Sequence, residues 1–273
     1  MSKDLNYNLM IDEDKTGLKS NQFPYVFSLY NKKQLLTFFG TEHSSDIKNK
    51  QWKVLEKEWQ EFIKNTQSEK RVVFLEGNFR LVSDQNYLDK NGKIISLEVV
   101  QKYCELGAWS YFSQNDKKEM VFVDPKFNDE AEYLLKRFDE TAVEYYFFAR
   151  YFSSYINKKD ITFDEALRQA VATTNETYRS FSNMVDYYKK IHRQFFNHEL
   201  DKCQIENVRN ASWPIRYDCP SNEVARQSSV FRNKYILKQI KEYWEQGKSI
   251  FVLFGAGHAV AQKPVLYDFI QGQ

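Results

Sequence analysis

The sequence predicts an α/β protein with a mainly parallel central sheet flanked by helices. Three observations carry this. Four short runs, "QLLTFFG" (34–40), "RVVFLEG" (71–77), "EMVFVDP" (119–125) and "SIFVLFG" (249–255), are apolar on successive residues, as strands covered on both faces are. Stretches with helical spacing of apolar residues separate them. The resulting order of strand, helix, strand, helix, strand is that of a parallel sheet with crossover helices.

Residues 1–22 read as a polar lead-in, and 23–273 as one domain. "PYVFSLY" (24–30) is a strand by its aromatic and β-branched content, and Asn31-Lys32-Lys33 turns the chain into 34–40. A helix is expected from about Asp46, capped by Ser44, Ser45 or Asp46, because Trp52, Leu55, Trp59 and Phe62 form one stripe. Asn91-Gly92 marks a turn, and 97–113 reads as a helix. From about 128 to 200 the pattern is mostly helical, with Tyr178, Phe181, Val185, Tyr188, Ile191 and Phe195 assigned to one long helix. Residues 201–221 read as irregular. A helix from about 222 buries Val224, Phe231, Tyr235, Ile240 and Trp244, and Gly247 stops it.

Composition excludes several function classes. The 273 residues carry a net charge of only +2 and no long basic block, which gives no support to nucleic-acid binding. Lys117-Lys118 and Lys158-Lys159 read as solvated charges. Three cysteines, without a C-x-x-C pair, fit neither a disulfide framework nor a zinc knuckle. "MSKDLNYNLMIDEDKTG" lacks the apolar centre of a signal peptide, and no run approaches the length of a membrane span. A cytoplasmic protein is expected.

The chemistry gathers at strand ends. His43 follows 34–40, Glu76 closes 71–77, Asp124 closes 119–125, and His258 follows 249–255. In a parallel sheet the carboxyl ends share one edge, where ligands bind. Two imidazoles and two carboxylates there can hold a divalent ion such as manganese, cobalt or zinc. They can equally activate water as general bases without a metal. Gly40, Gly255 and Gly257 permit close backbone approach to a ligand. "GAGHAV" is no dinucleotide fingerprint: Val260 stands where glycine or alanine is needed, and the segment follows the last strand, so no nucleotide cofactor is expected. Arg232, in "FRNKYILKQI", can meet a carboxylate or an oxyanion, or reach solvent from the edge of the core. Glu105 is a secondary candidate. His192 and His198 lie six apart on one helix, do not share a face, and read as structural.

These residues resemble a known family. "FFGTEH" and "FGAGH" look like the paired Gly-x-x-His motifs of the TraB/GumN and Tiki families, within the erythromycin-esterase-like superfamily that includes ChaN-type proteins. "VFLEG" resembles their glutamate strand. "RNKYILKQIKEYWEQGKSIFVLFGAGH" resembles their Arg-Asn helix and closing strand, and "ELGAWSYF" before "VFVDP" resembles the Glu-x-Gly helix and acidic strand end of some members. The likeness covers about 23–125 and 222–260 and leaves 128–220 unmatched. It implies a helical insertion over the C-terminal edge of the sheet. It also implies a central set of His43, Glu76 and His258, supported by Arg232 and Asp124. Tiki proteins are regarded as metal-dependent proteases, erythromycin-esterase relatives activate water without metal, and TraB/PrgY members are linked to peptide pheromone shutdown. The expectation is a hydrolase of a peptide, ester or amide; the alternative is a cleft that binds a peptide or small molecule without turnover. Glu42 departs from the opening motif, where Tiki-like members usually carry an apolar residue, and is a candidate either to add a ligand or to face a basic partner.

Overall fold

In a computed structural model, the structure describes residues 4–12, 22–31, 33–44, 46, 48–77, 107, 119–157, 161–178, 181 and 183–272. The turn at Asn91-Gly92, the helix expected over 97–113 and Glu105 lie outside these residues. The chain divides into a sheet unit, within 1–11, 16–124 and 233–273, and a helical unit, within 12–15 and 125–232.

Among the described residues the sheet unit has five strands: β1 (Tyr25–Tyr30), β2 (Leu35–Thr41), β3 (Arg71–Leu75), β4 (Glu119–Phe122) and β5 (Ser249–Gly255). Their order is β1-β2-β5-β3-β4. The β1–β2 hairpin is antiparallel, and β2–β5, β5–β3 and β3–β4 are parallel. The α/β class with a mostly parallel sheet is therefore as the apolar runs indicate.

Period-two alternation sends the strand side chains to two cores. Leu36, Phe38, Val72, Phe74, Ile250, Val252 and Phe254 face one layer with Ile236, Leu237, Ile240, Trp244, Val265, Leu266 and Phe269. Phe39, Val73, Leu75, Phe251 and Leu253 face Trp52, Leu55, Trp59 and Phe62 of α1 (Gln51–Lys64). With both faces covered, the inner strands carry no polar stripe, which is why they read as unbroken apolar runs. Helix α1 starts five residues later than Asp46 suggests. Ahead of it, Asp46 O accepts from Trp52 Nε1 at 2.6 Å and Asn49 Oδ1 accepts from Gln51 N at 3.0 Å. The lead-in is partly docked: Leu5 and Met10 pack on the first core, and Ile11 N donates to Ala261 O at 3.1 Å.

The helical unit holds α2 (Phe127–Leu135), α3 (Glu140–Ile156), α4 (Phe163–Thr177), α5 (Val185–Phe196), α6 (Ile205–Ala211) and the first half of α7 (Pro220–Glu245). Helix α3 is buried without interruption from Ala142 to Ala149, so it shows no amphipathic stripe. Two expectations are corrected here. The long helix through Tyr178 and Phe195 is broken, because the Asn175 side chain accepts from Asn183 N at 3.2 Å and donates to Asn183 O at 2.8 Å. That clasp takes up backbone groups a continuous helix would use. Residues 201–221 are not irregular throughout, since they contain α6; beyond it the buried Asn222 amide holds Asn210 O at 2.6 Å and Trp213 O at 3.0 Å. The final helix, α8 (Ala256–Gln271), has mixed apolar and polar residues and an internal Pro264, and its pattern is weak in sequence. No helix among the described residues is long and apolar enough to cross a membrane.

Candidate functional site

The strand order assembles the site. Strand β5 lies between β2 and β3, so the chain segments leaving β2 and β3 flank the one leaving β5. Register then sets the heights: Thr41 is level with Gly255, and Leu75 with Leu253. His43 is two residues past Thr41. Glu76 directly follows Leu75 and extends the ladder, its N–H donating to Leu253 O at 3.2 Å. His258 sits in the first turn of α8.

The two imidazoles converge on one carboxylate. His43 Nε2 is 3.9 Å from Glu76 Oε2, and His258 Nε2 is 3.9 Å from Glu76 Oε1. Glu76 Oε2 also accepts the Gly255 N–H at 2.8 Å, which aims the carboxylate. Exposure is graded across the three: 58% for the His43 side chain, 24% for Glu76 and 8% for His258. One histidine therefore meets solvent and the other is enclosed.

Backbone geometry serves this arrangement. His43 has φ 55°, a left-handed conformation costly for a residue with a side chain. Its ring lies against Gly255, where an added Cβ would stand 2.5 Å from Nε2. Gly77, at φ 106°, turns the chain after Glu76, and its N–H donates to Asp124 Oδ2 at 2.7 Å. Asp124 thus anchors the loop that carries Glu76. Glu42 points toward the loop before α1: its carboxylate accepts from Asn49 Nδ2, and its N–H donates to Gln51 Oε1 at 3.3 Å.

Asn233 and Gln262 escaped the sequence reading. His258 Nδ1 pairs with Asn233 Oδ1 at 2.8 Å, and Gln262 Nε2 donates to the same oxygen at 2.7 Å. Both amides are buried, at 2% and 0% exposure. Their signal was present: Asn233 precedes Ile236, Leu237, Ile240 and Trp244 at helical spacing, so an amide occupies a core position. Buried amides of this kind need partners. Arg232 belongs to the helical unit, where its charge acts on Tyr146 and Arg150. His192 has the structural role expected of it: it is fully buried in the helical unit, with Nδ1 2.6 Å from Tyr145 OH.

The donor types of His43, Glu76 and His258 fit a divalent ion of borderline softness. Two ligand bonds of about 2 Å at a tetrahedral angle span about 3.3 Å, so at 3.9 Å the imidazoles stand slightly outside a closed coordination shell. No set of three or more His, Cys, Asp or Glu side chains among the described residues is drawn together as a ready cage. No family model matches the chain, and neither does any curated protein or solved structure.

Proposed function

We propose that this protein is a hydrolase of the TraB/GumN and Tiki-like type, which activates water between His43, Glu76 and His258 to cleave a peptide, ester or amide. The observation that supports it is the facing of two histidine Nε2 atoms toward the two oxygens of one carboxylate, each at 3.9 Å, at the carboxyl edge of a parallel sheet. At that distance neither imidazole hydrogen-bonds the carboxylate directly.

Glu76 is the group to accept a proton from water, since Gly255 N–H holds one of its oxygens and orients the other. Glu76 then returns that proton to the leaving group, with the more exposed His43 imidazole beside it. His258, enclosed and held at Nδ1, fixes the water's position. A bound manganese, cobalt or zinc ion, held by His43, Glu76 and His258, would lower the pKa of water and polarise the scissile carbonyl. Asp124 stiffens the Glu76 loop.

The test is a peptide and ester panel assayed with EDTA and with added Mn²⁺, Co²⁺ or Zn²⁺. Turnover that disappears in Glu76→Gln supports the reading. Tight binding of a panel member without turnover under every condition replaces it with a sequestering protein. In the metal-dependent form, the double variant His43→Ala, His258→Ala loses bound metal by elemental analysis; full retention removes that form.

A further inference from the structure

We infer that Asn233 and Gln262 form a buried amide relay that fixes the tautomer of His258, placing its proton on Nδ1 and leaving Nε2 as a lone-pair donor toward Glu76. Asn233 is then a positioning residue for the site. The inference rests on the reading of His258 as a site residue given above.

The relay is built from three contacts on two helices. Asn233 comes from α7; His258 and Gln262 are one turn apart on α8 and share a face. Asn233 Oδ1 has two lone pairs, and two nitrogens meet it, His258 Nδ1 at 2.8 Å and Gln262 Nε2 at 2.7 Å. An oxygen in that place accepts from both, so Nδ1 must carry hydrogen. A neutral imidazole holds one ring proton, and Nε2 is then bare.

Turning both amides over would give the opposite result. Asn233 Nδ2 would face Nδ1, and the ring proton would move to Nε2, pointing at Glu76. A proton there would draw the carboxylate to within about 3.2 Å. The separation is instead 3.9 Å, longer than such a hydrogen bond. The cost of the favoured setting is visible: Gln262 Oε1 is buried without a hydrogen-bond partner. Gln262 is therefore held for what its nitrogen does, which is to occupy the second lone pair of Asn233 and keep that amide from turning.

The consequence for the site is chemical. Glu76 Oε1 and a bare His258 Nε2 are both electron-pair donors. A bare Nε2 can accept the O–H of a water or bind a cation, which a protonated Nε2 cannot. Partners that orient an imidazole in this way contribute about 10–100-fold to metal affinity or activity in sites where they have been removed.

The experiment is long-range proton–nitrogen NMR on the full chain, labelled with ¹⁵N-histidine, in chelator at a pH where the imidazoles are neutral. The His258 ring is assigned with His258→Gln. Nδ1 is expected to show the proton-bearing shift and Nε2 the bare one. A proton on Nε2 in the wild-type protein overturns the proposal, and this needs no variant to fold. Asn233→Asp keeps an acceptor and is expected to keep the Nδ1–H form. Asn233→Ala is expected to release the ring to a mixture dominated by Nε2–H; an unchanged tautomer in Asn233→Ala, or loss of the Nδ1–H form in Asn233→Asp, overturns it. Because the readout is not turnover, it separates the two readings. An Nδ1–H ring in a protein without hydrolysis removes the hydrolase and leaves the relay; an active enzyme with Nε2–H does the reverse.

Discussion

Gly255→Ala isolates the placing of His43 from everything else in the site. The residue has φ −55° and ψ 142°, so alanine fits its backbone without strain. The new Cβ would lie 2.5 Å from His43 Nε2 and 3.1 Å from Cε1. The ring must retreat by about 0.9 Å to reach ordinary contact at 3.4 Å. With 58% of the His43 side chain exposed, it can do so into solvent. Stability should therefore change by less than about 1 kcal/mol, partly offset by the lower unfolded-state entropy of alanine. A displacement of that size at a reacting group costs on the order of 10²-fold. The assay is kcat/KM on the best substrate of the panel, with urea midpoints alongside. A double-mutant cycle sharpens it: once His43 is alanine, Gly255→Ala has nothing left to displace and should cost no further activity. Wild-type kcat/KM in a folded Gly255→Ala protein, or full additivity in the cycle, would refute the reasoning.

Three other outcomes are expected. Gly40→Ala should cost stability of about 1–3 kcal/mol by urea denaturation, because its Cβ would stand 2.8 Å from Ala256 Cα and 2.9 Å from Tyr25 O, backbone atoms that cannot swing aside; an unchanged midpoint would count against the close packing of β2 on α8. Burial pushes His192 down from 6.5 to about 4, against a raising contact from Gln204, so the unfolded chain takes up the proton first. Stability should be full above pH 6.5, fall through the window down to pH 4 by at most about 3 kcal/mol, and fall less steeply in His192→Gln; equal slopes by denaturation at pH 7 and 4.5 would remove His192 as the cause. Glu130, 2% exposed, accepts from Ser228 Oγ at 2.5 Å and Arg150 Nη1 at 3.4 Å, so Glu130→Leu should cost about 2 kcal/mol in thermal unfolding, less than a fully buried pair because the Arg150 side chain is 33% exposed. A Glu130→Leu protein as stable as wild type would show the pair to be replaceable by apolar packing.

The sheet was readable because its strands are buried on both faces, and such strands are unmistakable as runs. The three converging side chains were readable for the same reason: each stands just beyond a run. Strand order was not, since nothing local in "SIFVLFG" says that it pairs with both "LLTFFGT" and "RVVFL". Helix α8 was missed because its face toward the sheet mixes Ala259, Gln262 and Val265. The break after Thr177 was missed because the apolar spacing continues across it, while an asparagine clasp eight residues long decides the backbone. Asn233 was passed over in favour of its neighbour Arg232. A charged residue invites a function, and an amide inside an apolar stripe asks for one only when its neighbours are known.

The middle position of β5 governs when the protein can come into being. Of the described strands it is the last to leave the ribosome, yet β1-β2 touches β3-β4 in the sheet only through it. A nascent chain that has not reached Ser249 holds two strand pairs with unpaired inner edges, exposed to other chains. Closing the sheet also delivers Gly255 and His258, so the carboxylate of Glu76 gains its orienting N–H in the same event. A chain released before Ser249 therefore lacks both the strand that joins the two halves of the sheet and the N–H and imidazole that meet Glu76.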